Sequence, residues 1–190
     1  TVRGAGSITI KAQPQGGDVD LSVLANLDGL SITKRGDDGS TTLSKPAGLP
    51  LRLDAVAKKT KTRADFSKLA LAIGRSTING RGSISDLDKE TSRLDIDLGQ
   101  LQLGFDDLRQ TIPGAARLPA GGRLSGAVKL SGGTSTETLA VDARGLNVAF
   151  GSSRLAGDVN VKNLAEPVLD VKLGQIDLAF DDVRAMSASA

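Results

Sequence analysis

The chain has 190 residues, one or two domains' worth, and a formal net charge of +2. Aromatics make up only 2% (Phe66, Phe105, Phe150 and Phe180), and Trp, Tyr, His and Cys are absent. This excludes Ser-His-Asp and Cys-His nucleophiles, zinc sites of the usual kind and disulfides. A near-balanced charge without stacking aromatics gives no reason to expect a nucleic-acid partner.

Hydrophobic residues are 39%, below the usual globular share. Absence of Cys fits an oxidising compartment. No apolar run approaches bilayer-spanning length, and no signal peptide is visible. The start at Thr1, without Met, suggests a fragment or processed chain, with any targeting or anchoring segment outside it.

Taken in order, residues 6–10 (GSITI) open with alternation and predict a first strand, and QPQGG at 13–17 predicts a turn. Residues 18–30 alternate again, and Leu30 and Ile32 resume after Asp28-Gly29. Residues 34–44 are polar and Gly-rich, a predicted loop. Pro46 and Pro50 place the approach to Leu51, Leu53, Ala55 and Ala57 at a strand start or a sheet edge. Lys58, Lys59, Lys61 and Arg63 form a basic cluster. Contact with anionic lipid headgroups is one reading. A solvated hairpin end whose lysines blunt edge pairing is the better one. Leu69, Leu71 and Ile73 predict the next strand, and residues 78–84 another, interrupted by Gly80 and Gly82.

Residues 94–109 read LDIDLGQLQLGFDDLR, and residues 169–184 read LDVKLGQIDLAFDDVR. The two share ten of sixteen residues at an offset of 75, which marks an internal repeat. Leu94, Ile96 and Leu98 alternate with polar neighbours, a strand with one apolar face. The parity then slips at Gly99-Gln100 and resumes at Leu101, Leu103 and Phe105; the second copy slips at Gly174-Gln175. A one-residue slip would turn every later side chain to the other face, and a β-bulge at the glycine corrects it. Two strands joined by a tight turn are the alternative. Asp106-Asp107 and Asp181-Asp182 suit the N-cap and first turn of a short helix rather than a cation or acid–base site.

Residues 113–122 (PGAARLPAGG) make the best boundary, and the pattern restarts after it. Residues 122–130 echo 2–10, and 139–148 echo 23–32. Two units result, 1–118 and 119–190, the first with an extra segment at about 34–73. The predicted fold is all-β, a mainly antiparallel meander with one apolar face. Protein core is the usual cover for such a face. With so few large side chains, an open or half-rolled sheet holding a flexible ligand is the alternative.

Four stretches carry a family resemblance: LANLDGLSI (24–32), KPAGLPL (45–51), LALAIGRSTINGRG (69–82) and LDIDLGQLQLGFDDLRQTIP (94–113). Their order and spacing resemble the C-terminal region of AsmA-like proteins, related to TamB and YhdP. The resemblance covers most of residues 1–113; the second unit is shorter and lacks the Lys-Pro segment. It implies a long, open, taco-shaped β-groove in the periplasm of diderm bacteria. The full-length protein would be anchored in the inner membrane and conduct phospholipid towards the outer membrane. The expected partners are phospholipid acyl chains and the two membranes; cofactors, metals and catalysis are not expected. The groove face is expected at Val19, Leu21, Val23, Leu69, Leu71, Ile73, Leu94, Ile96, Leu98, Val128, Leu130, Val159, Val161, Leu169, Val171 and Leu173. Core packing competes with lipid contact at each. A non-lipid scaffold for outer-membrane protein assembly and a β-solenoid adhesin stalk are the other functions weighed. Exposed strand edges leave self-association open.

Overall fold

A computed structural model describes residues 1–36, 41–89, 91–182 and 184. Thirteen strands and one short helix are named: β1 (Val2–Gly4), β2 (Ser7–Gln15), β3 (Asp18–Asn26), β4 (Leu30–Arg35), β5 (Thr41–Lys45), β6 (Leu51–Lys59), β7 (Arg63–Ile73), β8 (Ser76–Ser85), β9 (Arg93–Gly104), α1 (Phe105–Thr111), β10 (Arg123–Gly133), β11 (Leu139–Phe150), β12 (Ser153–Lys162) and β13 (Val168–Asp177). A 3-10 turn, Pro113–Ala115, follows α1.

Ten strands form one sheet in the order β13-β12-β11-β10-β9-β8-β7-β6-β3-β2, and β1-β4-β5 form a small second sheet. Every pair of named strands is antiparallel. β2 and β13 end the large sheet without meeting, so it is an open, half-rolled groove and not a barrel. Residues 180–182 are helical, so both long repeated strands run into helical turns.

The parity slip in the repeat is a bulge. Against β8, β9 advances from Asp97 to Gln100 while β8 advances only from Arg81 back to Asn79. In the second copy β13 advances from Leu173 to Gln175 against one step of β12. β7 and β11 do the same, at Ser67-Lys68 and at Arg144-Gly145. Every second strand from β7 to β13 therefore holds one extra residue at mid-height. Bulges bend a strand and increase its twist, so a row of four creases the sheet along one line.

The glycine that the crease needs sits across from the bulge. A Cβ on Gly80 would lie 2.4 Å from the Asp97 carbonyl oxygen, and one on Gly157 2.3 Å from that of Lys172. Gly99 has nothing nearer than 3.8 Å. The bulges stand where the sequence placed them; the steric demand for glycine belongs to the neighbouring strand.

The register also sets the phase of the repeat. Gly74 and Ser76 match Gly151 and Ser153 at an offset of 77, and β8–β9 pair as β12–β13 do. Asp86 (φ 59) and Asn163 (φ 55) occupy equivalent left-handed positions at the turn out of β8 and β12; both residue types tolerate that region. The offset drops to 75 in the next strand because the connection after β12 is two residues shorter. The structural equivalent of β10–β13 is thus β6–β9. The echo of residues 2–32 in 122–148 does not relate equivalent strands, because β6 and β7 belong to the common sheet. The excursion is β4–β5, which leaves the sheet after β3 and returns at β6. The sheet also runs unbroken across residues 113–122, since β9 pairs with β10.

Other local expectations shift in the same way. β2 continues through Pro14 to Gln15, and the turn narrows to Gly16-Gly17. Residues 34–36 and 41–44 of the predicted loop fall largely in β4 and β5; residues 37–40 lie outside the described residues. β6 starts directly after Pro50 but lies between β3 and β7, so it is a strand start and not an edge. For the same reason the basic hairpin joining β6 to β7 blunts no edge. Gly80 and Gly82 do not interrupt β8.

Candidate functional site

The groove face is assembled by pairing register. Ala12, Leu21, Ala57, Phe66, Gly82, Ile96, Leu130, Val141, Val161 and Leu169 form one row across all ten strands. Alternation within each strand carries the same face along the strands, and the bulges preserve it through mid-height. All sixteen residues expected at the groove lie on this one face.

Their burial is incomplete. Among the sixteen only Ile96 is buried, at 9% exposure. Those on β3 and β7 to β12 are otherwise half-buried. On β13, Leu169, Val171 and Leu173 are 61%, 52% and 59% exposed. Ile8 and Ile10 on the opposite margin, β2, are exposed as well. Neighbouring strands shelter a side chain from two sides, and the margins have one neighbour each. What remains is a broad aliphatic surface, interrupted by glycines where the backbone bends.

The other face is polar. Lys58 pairs with Asp18 at 3.0 Å, Lys129 with Asp95 at 3.0 Å, and Lys68 with Asp54, each across strands. Such exposed pairs are screened by solvent, add little to stability and serve mainly solubility and register. The Asp18 carboxylate accepts a hydrogen bond from Lys58 and raises that amine's pKa. In the basic hairpin Arg63 pairs with Asp65 at 2.6 Å. Thr60 N–H donates to Arg63 O at 2.7 Å, which closes the turn.

One end of the groove is built up. α1 starts at Phe105, on the parity of the apolar face, and Phe105 is buried. α1 and β5 meet at this end. Gly104, not an aspartate, is the N-cap of α1, and no side chain caps it. Asp106 and Asp107 do occupy the first turn as expected. Asp107, however, reaches away from the helix. Its Oδ2 accepts from Arg75 N–H at 2.9 Å and Ser76 Oγ at 2.7 Å, and Ser76 Oγ accepts from Gly104 N–H at 2.9 Å. The second copy repeats the clasp: Asp182 Oδ2 accepts from Ser152 N–H at 2.9 Å and Ser153 Oγ at 2.7 Å, and Ser153 Oγ accepts from Ala179 N–H at 3.0 Å. Gly74 and Gly151 face these carboxylates, each with positive φ, and a Cβ on either would lie 2.0 Å from the Oδ1 atom. A Gly-x-Ser turn whose serine stands 31 residues before the clasping aspartate in the first copy and 29 in the second is the signal in the sequence that alternation alone does not disclose.

A second anchor fixes the small sheet. Lys45, 3% exposed, donates from Nζ to Leu30 O at 2.6 Å, Asp28 O at 3.1 Å and Pro46 O at 3.2 Å. The Asp28 carboxylate accepts from Arg52 Nη2 at 2.9 Å and Leu51 N–H at 2.8 Å. The Arg52 hydrogen bond, and then that of Leu51, hold the Asp28 pKa below its ordinary value. Lys45-Pro46 thus serves as a structural bolt between β4–β5 and the turn after β3.

Among the described residues no helix is long and apolar enough to cross a membrane. No family model, curated protein or solved structure matches the chain.

Proposed function

We propose that this chain is a section of a lipid-holding and lipid-conducting groove of the AsmA-like type. The observation that supports it is the apolar face, ten strands wide, most of whose large aliphatic side chains stay half-buried or exposed. Acyl chains supply the missing cover, at about 0.8 kcal/mol per buried CH₂. Leu, Val and Ile walls make no directional bond with an acyl chain, so a lipid is held without being fixed at one position. Strands of about ten residues give walls roughly 33 Å long, longer than an extended acyl chain. In the full-length protein the groove stands in the periplasm, tethered to the inner membrane, and passes phospholipid towards the outer membrane. No catalytic step is part of this reading.

The test is native mass spectrometry of the purified chain, with lipid extraction from the same sample. Val171→Glu is the first variant, because Val171 is exposed on the outermost strand and its replacement leaves the fold intact. Ile96→Glu is the second, placed at the groove centre. Co-purifying phospholipid that falls in Val171→Glu supports the groove. A folded wild-type chain that carries no lipid and refuses added phospholipid overturns it, and points to an assembly scaffold instead.

A further inference from the structure

We infer that the polar face carries a site for a phosphate group, built from Arg75, Arg123 and Arg154. In register, Arg123 on β10 pairs with Gly104 on β9 and Ala149 on β11, and Ala149 pairs with Arg154 on β12. Arg75 immediately precedes β8, in the turn clasped by Asp107. The arginines therefore recur on alternate strands, about 10 Å apart at two strand spacings. The residues between them, Gly104 and Ala149, are small. A cavity of about 990 Å³ opens over this floor, lined by all three arginines with Gln102 and Asn147 among the polar groups.

Shared placement around one cavity, without a carboxylate partner among the described residues, marks these arginines. Several cations elsewhere on the polar face meet carboxylates, as in Lys58–Asp18, Lys129–Asp95 and Arg144–Asp142. Among the described residues Arg75, Arg123 and Arg154 make no side-chain ion pair or hydrogen bond. Two carboxylates line the same cavity, but both are engaged. Asp107 accepts from Arg75 N–H and Ser76, and Asp106 accepts from Gly121 N–H at 3.2 Å and stands 3.7 Å from Arg109. Asp177, in register with Arg154 on β13, accepts from Gln175.

A guanidinium presents paired N–H groups that match two oxygens of a carboxylate or a phosphate; several such forks lining one cavity offer more donors than the two oxygens of a carboxylate can accept, which points to a tetrahedral oxyanion. The amides of Gln102 and Asn147 add neutral donors. The volume exceeds that of a bare phosphate ion and admits a substituent, so inorganic phosphate and a phosphodiester headgroup share the required chemistry. The site lies on the face opposite the groove and is independent of what fills the groove.

The experiment is an amide-resolved NMR titration with inorganic phosphate at low ionic strength, where screening is weak. It is followed by co-sedimentation with phosphatidylcholine vesicles, with and without phosphatidylglycerol. Arg123→Gln and Arg154→Gln are compared with Arg93→Gln, an exposed arginine at the far end of the same face. Phosphate shifts centred on residues 102–104, 123–125 and 147–149, weakened at least tenfold by Arg123→Gln or Arg154→Gln and unchanged by Arg93→Gln, are expected. Binding to phosphatidylglycerol vesicles that falls in the same variants assigns the source to a lipid headgroup; phosphate binding without vesicle binding assigns it to a free phosphate compound. No shifts at millimolar phosphate, or equal weakening by Arg93→Gln, overturns the site.

Discussion

Replacing Asp107 with Ala tests whether the clasp between α1 and the β7–β8 turn holds the groove end in place. Asp107 is 8% exposed, and its carboxylate accepts from Arg75 N–H at 2.9 Å and Ser76 Oγ at 2.7 Å. Removal deletes two charge-assisted bonds and leaves two sheltered donors without an acceptor. A hydrogen bond to a charged group contributes about 1.5–3 kcal/mol, and relief of the buried charge offsets part of the sum, so a net loss of about 3 kcal/mol is expected. For a chain of this size that lowers Tm by roughly 6–12 °C. Asp107→Asn keeps one acceptor oxygen and loses about half as much. Asp182→Ala breaks the equivalent clasp at the last strand, where the surroundings are more exposed, and costs less. With no Trp or Tyr in the chain, urea unfolding followed by far-UV circular dichroism is the assay. A stability for Asp107→Ala within about 0.5 kcal/mol of the parent would refute the clasp as an energetic element.

The crease makes a paired prediction: Gly80→Ala destabilises by more than about 2 kcal/mol because its Cβ meets the Asp97 carbonyl, whereas Gly99→Ala is within about 0.5 kcal/mol of neutral, both read by urea midpoint. Lys45→Met removes three part-buried bonds to backbone carbonyls and costs about 2 kcal/mol; hydrogen exchange is expected to rise in β4 and β5 while β8–β11 keep their protection. Asp28 has a folded pKa below its ordinary 3.8, so its contribution to stability is present above that value and disappears as pH falls through the folded pKa. The stability gap between wild type and Asp28→Asn therefore closes on acidification below about pH 4, and a carboxyl NMR titration of Asp28 with a midpoint at or above 3.8 would contradict the assignment.

Much of the fold is local and was legible along the chain. Period-two alternation names the apolar face strand by strand. The parity slip at Gly99 and Gly174 locates two bulges, because a face that must stay buried cannot change sides within one strand. The sixteen residues expected to line a groove share one face of the sheet, since side-chain direction follows from alternation and each bulge restores the parity.

Other features depended on which strands lie side by side. The phase of the repeat, β6–β9 against β10–β13, is written in cross-strand partners and bulge alignment. The interior position of β6 removes the edge-blunting reading of Lys58 to Arg63. The aspartates of the repeat read as caps when only their helix is considered; the Gly74-Arg75-Ser76 turn that takes Asp107 is 31 residues away in sequence and adjacent only after β8 and β9 pair. Arg75, Arg123 and Arg154 fall into one row for the same reason. Alternation is a property of a single strand, fixed by backbone geometry at each residue. Strand order, register and the partners of a carboxylate arise from contacts between distant residues, and those existed only once the sheet was assembled.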